Sequence, residues 1–245
     1  MISMKELHLM SYKDAEEYFK VYDLVLLPLG SIEQHGPANP LGTDALIAKA
    51  LAEEVSRRTG VLTLPLIPYG VSFHHMHFPG TITVSEEALE SYVFEVIRSL
   101  AKWGVKKVLV INGHGGNLVT LQIISRRALE ELGVKVYVYQ WWTHSSEALE
   151  KLFEADERGH AAAAETSIVM FLNPEAVDRD KLVDQDVREI GHSGKLAHFS
   201  YTIERSNSGV LGKQKKASVE RGKVLFEMLV EDLKKVVEEL IEIRS

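Results

Sequence analysis

The chain contains no cysteine. Disulfides, thiolate metal sites and a cysteine nucleophile are thereby excluded, and any metal must sit on His, Asp or Glu. Long hydrophobic runs are missing as well. No apolar stretch approaches the roughly 20 residues that a membrane helix needs. Met1 to Met10 offers no apolar signal core, so export is not expected and a cytoplasmic protein is. Clustered basic charge is scarce. The 28 Lys and Arg are outnumbered by 35 Asp and Glu, for a net charge of −7, and only Lys213 to Lys216 forms a basic run. A nucleic-acid partner is therefore disfavoured. Internal repeats, low-complexity tracts and linkers are absent too, and residues 1–245 are read as one domain.

What is present is the profile of a globular protein, with 45% hydrophobic and 26% charged residues. Four short apolar runs stand out: Leu24 to Leu29, Val61 to Ile67, Lys107 to Ile111 and Val134 to Gln140. Each is too short for a helix and largely apolar on both faces, as buried parallel strands are. Between them lie segments of helical length and spacing. One begins near Asp44, with Thr43 placed to cap it, and stops at Gly60; a second runs from Ser85 to Trp103-Gly104; a third follows Asn117 and ends near Leu132-Gly133. A last helix, about Ala217 to Ile243, carries Val224, Met228, Leu229, Leu233, Val236, Val237 and Leu240 as an apolar stripe. Strand alternating with helix predicts βαβ units and a layered α/β fold. Asp178 to Gly212 is polar and spotted with glycine, and is read as long loops.

Open α/β sheets bind ligands beyond the carboxyl ends of their strands, and the unusual residues fall there. The first run is followed by Glu33, His35 and Asp44; the second by Tyr69-Gly70, then His74, His75 and His77. The third is followed by Asn112-Gly113-His114-Gly115-Gly116-Asn117, and the fourth by Trp141-Trp142. Imidazole and carboxylate are ligands for zinc, manganese or iron alike. In Asn112 to Asn117 the glycines let the backbone approach a ligand, and the next helix start offers free N–H groups to an anion. The competing reading is a tight turn with a solvated histidine. Further along, Gly159-His160-Ala161-Ala162-Ala163-Ala164-Glu165 precedes the apolar Ile168 to Leu172. A glutamate buried there needs a positive partner. A metal ion is one such partner, Arg126 or Arg127 another.

Taken together, Glu33-x-His35-Gly36, Asp44, His77-Phe78-Pro79-Gly80-Thr81, the Asn112 to Asn117 segment and His160-x4-Glu165-Thr166-Ser167 resemble the creatininase (creatinine amidohydrolase) family. Ser208-Gly209-Val210-x-Gly212 resembles its late loop. The resemblance implies a three-layer α/β/α fold with a mostly parallel central sheet. It implies hydrolysis of a C–N bond in a small-molecule amide, with two divalent ions per chain (Zn, Mn or Fe). It also implies a homo-oligomer, with a hexamer favoured. By the same resemblance, Glu33, Asp44 and His114 hold one ion, and His35, Asp44 and Glu165 the other. Creatinine-hydrolysing members have His-Tyr-Glu-Asn where this chain has His114-Gly115-Gly116-Asn117, which puts creatinine in doubt. Glycine-rich members include archaeal deformylases of a formylamino-pyrimidine nucleotide, and others process small peptides. For such a nucleotide, Lys195, Arg205 or Lys213 would supply cationic groups.

Two close ions acidify a shared water and polarise a carbonyl. His160 and Glu165 form the expected catalytic pair, with His160 either the general acid for the departing nitrogen or a partner that orients Glu165. His77, Gly115, Gly116 and Trp142 are expected to line the substrate, against the plainer reading of loop histidine and core tryptophan. His8, His74, His75, His144, His192 and His198 are read as surface or structural residues. The rival to an enzyme is a non-catalytic protein that keeps the fold and binds an anion at Asn112 to Asn117.

Overall fold

Short apolar segments with side chains on both faces become strands covered on both sides. The structure, a computed structural model, describes residues 6–189 and 199–243. Strands β1 (Leu24–Leu29), β2 (Lys107–Asn112) and β3 (Lys135–Gln140) form a parallel sheet in the order β1-β2-β3, with Leu24 opposite Lys107 and Lys107 opposite Lys135. Every residue of β1 and β2 is buried.

The run Val61 to Ile67 lies along the free edge of β1 without forming a continuous strand. It bonds through Leu26 N–H to Leu62 O (2.8 Å), Leu64 N–H to Leu26 O (2.8 Å), Ile67 N–H to Pro28 O (3.0 Å) and Gly30 N–H to Ile67 O (3.0 Å). Between the bridges Leu26–Thr63 and Leu29–Ile67, three steps along β1 match four along its neighbour. Pro65 and Pro28 carry no N–H, so the ladder cannot be continuous, and the extra residue is taken up as a bulge.

Side chains alternate across the sheet. Leu24, Leu26, Leu109 and Ile111 pack on one core with helices α2 (Thr43–Thr59), α7 (Ala163–Leu172) and α9 (Val219–Glu242). Val25, Leu27, Leu29, Val108 and Val110 pack on the other with α1 (Tyr12–Val21), α3 (Glu86–Ala101) and α4 (Leu118–Leu132). This is the three-layer α/β/α arrangement. The short helices α5 (Trp141–His144), α6 (Ser146–Leu152) and α8 (Thr202–Arg205) complete the connections. Within the segment read as loops, β4 (Asp184–Gln185) and β5 (Gly212–Lys213) pair antiparallel.

Helix ends follow local chemistry. The Ser85 side chain caps α3 through Ala88 N–H, and Gly60 and Gly133 close α2 and α4 in the left-handed region, at φ 75° and 65°. Thr43, expected as a cap, is instead the first residue of α2, and its hydroxyl donates to Pro40 O at 2.9 Å. Asp44 therefore stands in the first turn of α2, beside the carboxyl edge of the sheet. No helix among the described residues is long and apolar enough to cross a membrane.

Candidate metal centre

The carboxyl edge is drawn together by close backbone contacts. A Cβ on Gly113 would fall 2.3 Å from the Asp44 carbonyl oxygen. Only a glycine there lets the exit of β2 press on the first turn of α2, which brings His114 to Asp44. Asn117 ties three connections. It accepts from Val71 N–H at 2.9 Å and donates to Gly30 O at 3.1 Å and Asn112 Oδ1 at 3.2 Å. Thr81, from the segment His77 to Thr81, accepts from Gln34 N–H at 3.1 Å and holds the turn between Glu33 and His35.

Five side chains then converge. His35 Nε2 lies 3.1 Å from Asp44 Oδ1 and 3.7 Å from Glu165 Oε2. His114 Nδ1 lies 3.0 Å from Glu33 Oε2 and 3.1 Å from Asp44 Oδ2. The two oxygens of Asp44 thus face two different histidines, as those of a bridging carboxylate would. The other nitrogen of each ring is committed. His35 Nδ1 donates to Glu33 O at 3.1 Å, and His114 Nε2 donates to Val71 O at 2.9 Å. In their neutral forms both rings therefore turn a lone pair toward carboxylate oxygens, an arrangement that repels unless a cation lies between. Glu33 Oε1, His35 Nε2 and Asp44 Oδ2 are buried without a hydrogen-bond partner among the described residues. Ligand atoms of Glu33, His35 and Asp44 lie within 4.8 Å of one another, as do those of His35, His160 and Glu165. This nitrogen and oxygen donor set fits divalent ions.

The electrostatics agree. Burial disfavours charge on the rings. Asp44, Glu165 and Glu33 nonetheless outweigh it at His35, raised to about 10, and Glu33 and Asp44 do so at His114, held well above the usual range. Burial would likewise raise the Glu33 carboxyl, but His114, His75 and His160 hold it well below its ordinary value. Glu165 goes the other way, raised to about 7 by burial despite His35 nearby, with Asp44 and Glu33 adding to the rise. The groups behave as a cluster carrying protons where an ion could sit. Neither Arg126 nor Arg127 is the partner of Glu165: its Oε2 accepts from Ala161 N–H at 2.6 Å, while Arg127 pairs with Glu90 and Glu131. Ala161 is the one described non-glycine residue with positive φ (58°). Its strained turn aims that N–H at the carboxylate.

His160 stacks between His35 and His75, with ring centroids 4.3 and 4.4 Å away. Burial and the neighbouring His35 lower it to about 4. Gly115 is exposed, and Trp142 Cζ2 lies 3.9 Å from where its Cβ would stand. Gly116 has a packing duty. A Cβ there would fall 2.1 Å from Val71 O and 2.4 Å from His114 Nε2, so no carboxylate can occupy this position on this backbone. His77 is exposed, edge-on to Tyr201, and takes no part in the cluster. Trp141 is core and Trp142 half-buried. Lys213, a sequence candidate for binding phosphate, pairs with Asp156. His192, His198 and Lys195 lie outside the described residues.

Of the two roles the sequence left open for His75, surface or structural, the structure rules out the first. His75 is buried, and its Nε2 stands 3.3 Å from Glu33 Oε1. His74 stacks on His114 at 5.6 Å. Sequence reasoning missed Ser72, whose hydroxyl contacts Ser31 and donates to Glu33 Oε2 at 2.7 Å, and Gln34, whose amide reaches His75, His160 and Gly209. The histidine-rich turn after Tyr69-Gly70 was the available signal. An apolar cleft of about 920 Å³ lies elsewhere, between α1 and α3, lined by residues such as Met10, Phe19, Tyr92 and Trp103. It has no comparable set of ionisable groups, so the chemistry points to the carboxyl edge.

A family profile described as creatinine amidohydrolase matches residues 8–237. A 3-dehydro-scyllo-inosose hydrolase of Thermotoga maritima is 30% identical, over 95% of this chain and 82% of its own. A mycofactocin precursor peptide peptidase of Mycobacterium ulcerans is 35% identical, over 85% of this chain and 82% of its own. A formylamino-pyrimidine nucleotide deformylase of Methanococcus maripaludis is 28% identical, over 71% of this chain and 81% of its own. Among solved structures, a creatinine amidohydrolase superposes with a TM-score of 0.88 at 26% identity, covering all of both chains. A zinc–zinc form of a creatininase variant superposes at 0.87 with 28% identity, over 98% of this chain and 99% of its own.

Proposed function

The chain belongs to the creatininase family, and from that premise we propose that it is a divalent-metal amidohydrolase that cleaves a C–N bond in a small amide. The observation that carries this reading is the pair of histidines, His35 and His114, each with one nitrogen committed to a backbone carbonyl and the other aimed at the split carboxylate of Asp44. Glu33, Asp44 and His114 would hold one ion and His35, Asp44 and Glu165 the second, zinc, manganese or iron. When bound, the ions supply an acidified water and a Lewis acid for the developing oxyanion.

The chain's own groups supply the rest. The backbone carbonyls of Glu33 and Val71 fix the tautomers of His35 and His114. Ser72 donates to Glu33 Oε2 and Ala161 N–H to Glu165 Oε2, so each outer carboxylate keeps one orientation. His160 donates its Nε2–H to Gln34 O at 2.9 Å, which leaves Nδ1 bare and 3.8 Å from Glu33 Oε1. With its pKa lowered to about 4, His160 begins the cycle unprotonated. Nδ1 is the atom to take a proton from the attacking water and deliver it to the leaving nitrogen. Gly115 and Trp142 border the exposed side and are assigned to the substrate.

A second reading within the family is a formylamino-pyrimidine nucleotide deformylase. It is favoured by Gly116, which leaves no room for the glutamate that creatinine-hydrolysing members carry in their His-Tyr-Glu-Asn segment. We also propose that residues 1–245 form one domain, since both apolar cores share one sheet, and that the chain assembles as a homo-oligomer, with a hexamer favoured. Light scattering would report a sixfold mass. The deciding experiment is elemental analysis followed by assay of the zinc- or manganese-loaded protein on creatinine beside the formylamino-pyrimidine nucleotide. About two ions per chain and turnover of one of these amides are expected. A protein that cannot be loaded with metal would instead fit an anion-binding module.

A further inference from the structure

Four histidines surround the carboxylates, and three share one arrangement. His35, His114 and His160 each donate one N–H to a backbone carbonyl, of Glu33, Val71 and Gln34, and turn the other nitrogen toward the carboxylates. His75 is different. With Glu33 and His160 it completes a trio of ligand-type atoms within 4.8 Å, so distance alone would make it a ligand. The hydrogen atoms around Gln34 decide otherwise.

Gln34 Oε1 accepts from Gly36 N–H at 3.0 Å, which fixes the two ends of the amide. Its Nε2 carries two hydrogens and has three neighbours: Gly209 O at 3.1 Å, His75 Nδ1 at 2.9 Å and His160 Nε2 at 2.9 Å. A carbonyl can only accept, so one hydrogen belongs to Gly209. His160 Nε2 already bears its own hydrogen, donated to Gln34 O. The second amide hydrogen therefore goes to His75 Nδ1, which must carry a lone pair. The Thr202 hydroxyl, 2.9 Å from the same nitrogen, is placed as another donor to it. The hydrogen of the His75 ring then sits on Nε2, 3.3 Å from Glu33 Oε1.

We infer that Gln34 sets the tautomer of His75, making His75 a positioning residue that presents an N–H to Glu33 and excluding it as a metal ligand. The contact with Oε1 lies off the hydrogen-bond line. It steers the oxygen electrostatically and leaves its lone pairs available. Gly209 keeps the amide in place: a Cβ there would fall 1.7 Å from Gln34 Oε1, and its φ is 85°. Only the catalytic consequence rests on the metal-centre reading; the tautomer does not.

The test is nitrogen NMR of the zinc-loaded protein with ¹⁵N-labelled histidine, the His75 signals being assigned by their loss in His75→Gln. A protonated Nε2 and bare Nδ1 on His75 are expected. A bare or zinc-shifted Nε2 overturns the inference. Gln34→Glu replaces the donor with an acceptor of the same shape. The His75 hydrogen should move to Nδ1 and kcat fall about tenfold to a hundredfold with KM little changed, whereas unchanged ring signals overturn the proposal. His75→Leu should weaken zinc binding about tenfold or more in chelator competition. His75→Gln, which can still offer an N–H near the Nε2 position, should bind zinc more tightly than His75→Leu; equal loss in both overturns the positioning role. A protein that takes up no zinc overturns the metal-centre reading instead, and the ring spectrum of that protein still reports the tautomer.

Discussion

The two ends of β2 both bury ionisable groups, in opposite ways. At the amino end, Lys107 is buried and its ammonium donates to Leu240 O at 2.8 Å and Ile243 O at 2.6 Å, with Asp23 Oδ1 at 3.0 Å. Three donors meet three acceptors, the last carbonyls of α9 gain a cation, and the charge is satisfied within the protein. At the carboxyl end, Glu33, His35, Asp44, His114 and Glu165 crowd together so that, with the rings neutral, acceptor faces acceptor unless a proton or a metal ion lies between. One end is closed and the other needs a visitor. Burial of charge therefore does not mark function by itself; the balance of donors and acceptors does.

The largest expected effect tests the open end. Asp44→Asn keeps the shape of the side chain but removes the charge facing both histidines. Turnover should fall about a thousandfold or more, because several kcal/mol of transition-state stabilisation are at stake and each 1.36 kcal/mol is a factor of ten. Bound metal should drop below two ions per chain while circular dichroism keeps its helical signal. Full activity in this variant would break the comparison.

Lys107→Met tests the closed end. It leaves two carbonyls and Asp23 without their cation and should cost about 2–4 kcal/mol in urea unfolding. Metal content of the folded fraction should stay as in the wild type. If metal were lost as well, the two ends of β2 would not be independent.

Gly113→Ala pushes the exit of β2 away from Asp44. About 1–3 kcal/mol of stability should be lost to overpacking, with weaker metal binding measured by chelator competition, because His114 moves with the turn.

The smallest effect is in pH. In ion-free protein, His35 is raised from 6.5 to about 10, and His114 is raised too. Their contribution is complete below about pH 6.5 and is lost as pH climbs toward 10. Glu165, raised from 4.5 to about 7, acts in the same direction: the folded state holds its proton more tightly, so its penalty grows between those values. The cluster thus makes ion-free protein less stable as pH rises. Metal binding requires the deprotonated ligands and strengthens with pH. The gap in Tm between zinc-loaded and ion-free protein should therefore widen from pH 6 to 9; a constant gap would contradict the open-end picture.

Much of this was legible in the chain. The three paired strands were, because apolar runs bounded by turn residues admit few alternatives. The five side chains were picked out through the resemblance to the creatininase family, and the structure brings them within 3.0 to 3.7 Å of one another in pairs. Val61 to Ile67 was misread as a full strand because its apolar residues outweighed Pro65, which lies inside it and, like Pro28 on β1, has no N–H for the ladder. His75 was passed over because a histidine's role depends on what meets each ring nitrogen, and its neighbours come from distant segments, Glu33 and Gln34 from the connection after β1 and Thr202 from α8.

The linear order of residues thus determined the layers, the edge that bears the chemistry and the kinds of donor available, since these follow from hydrophobic period and residue type. Which nitrogen carries a hydrogen and which histidine stands behind the others were decided only by the tertiary structure. Those properties arise from contacts of 3 to 4 Å between segments as far apart in the chain as Gln34 and Gly209, a scale that local propensity does not encode.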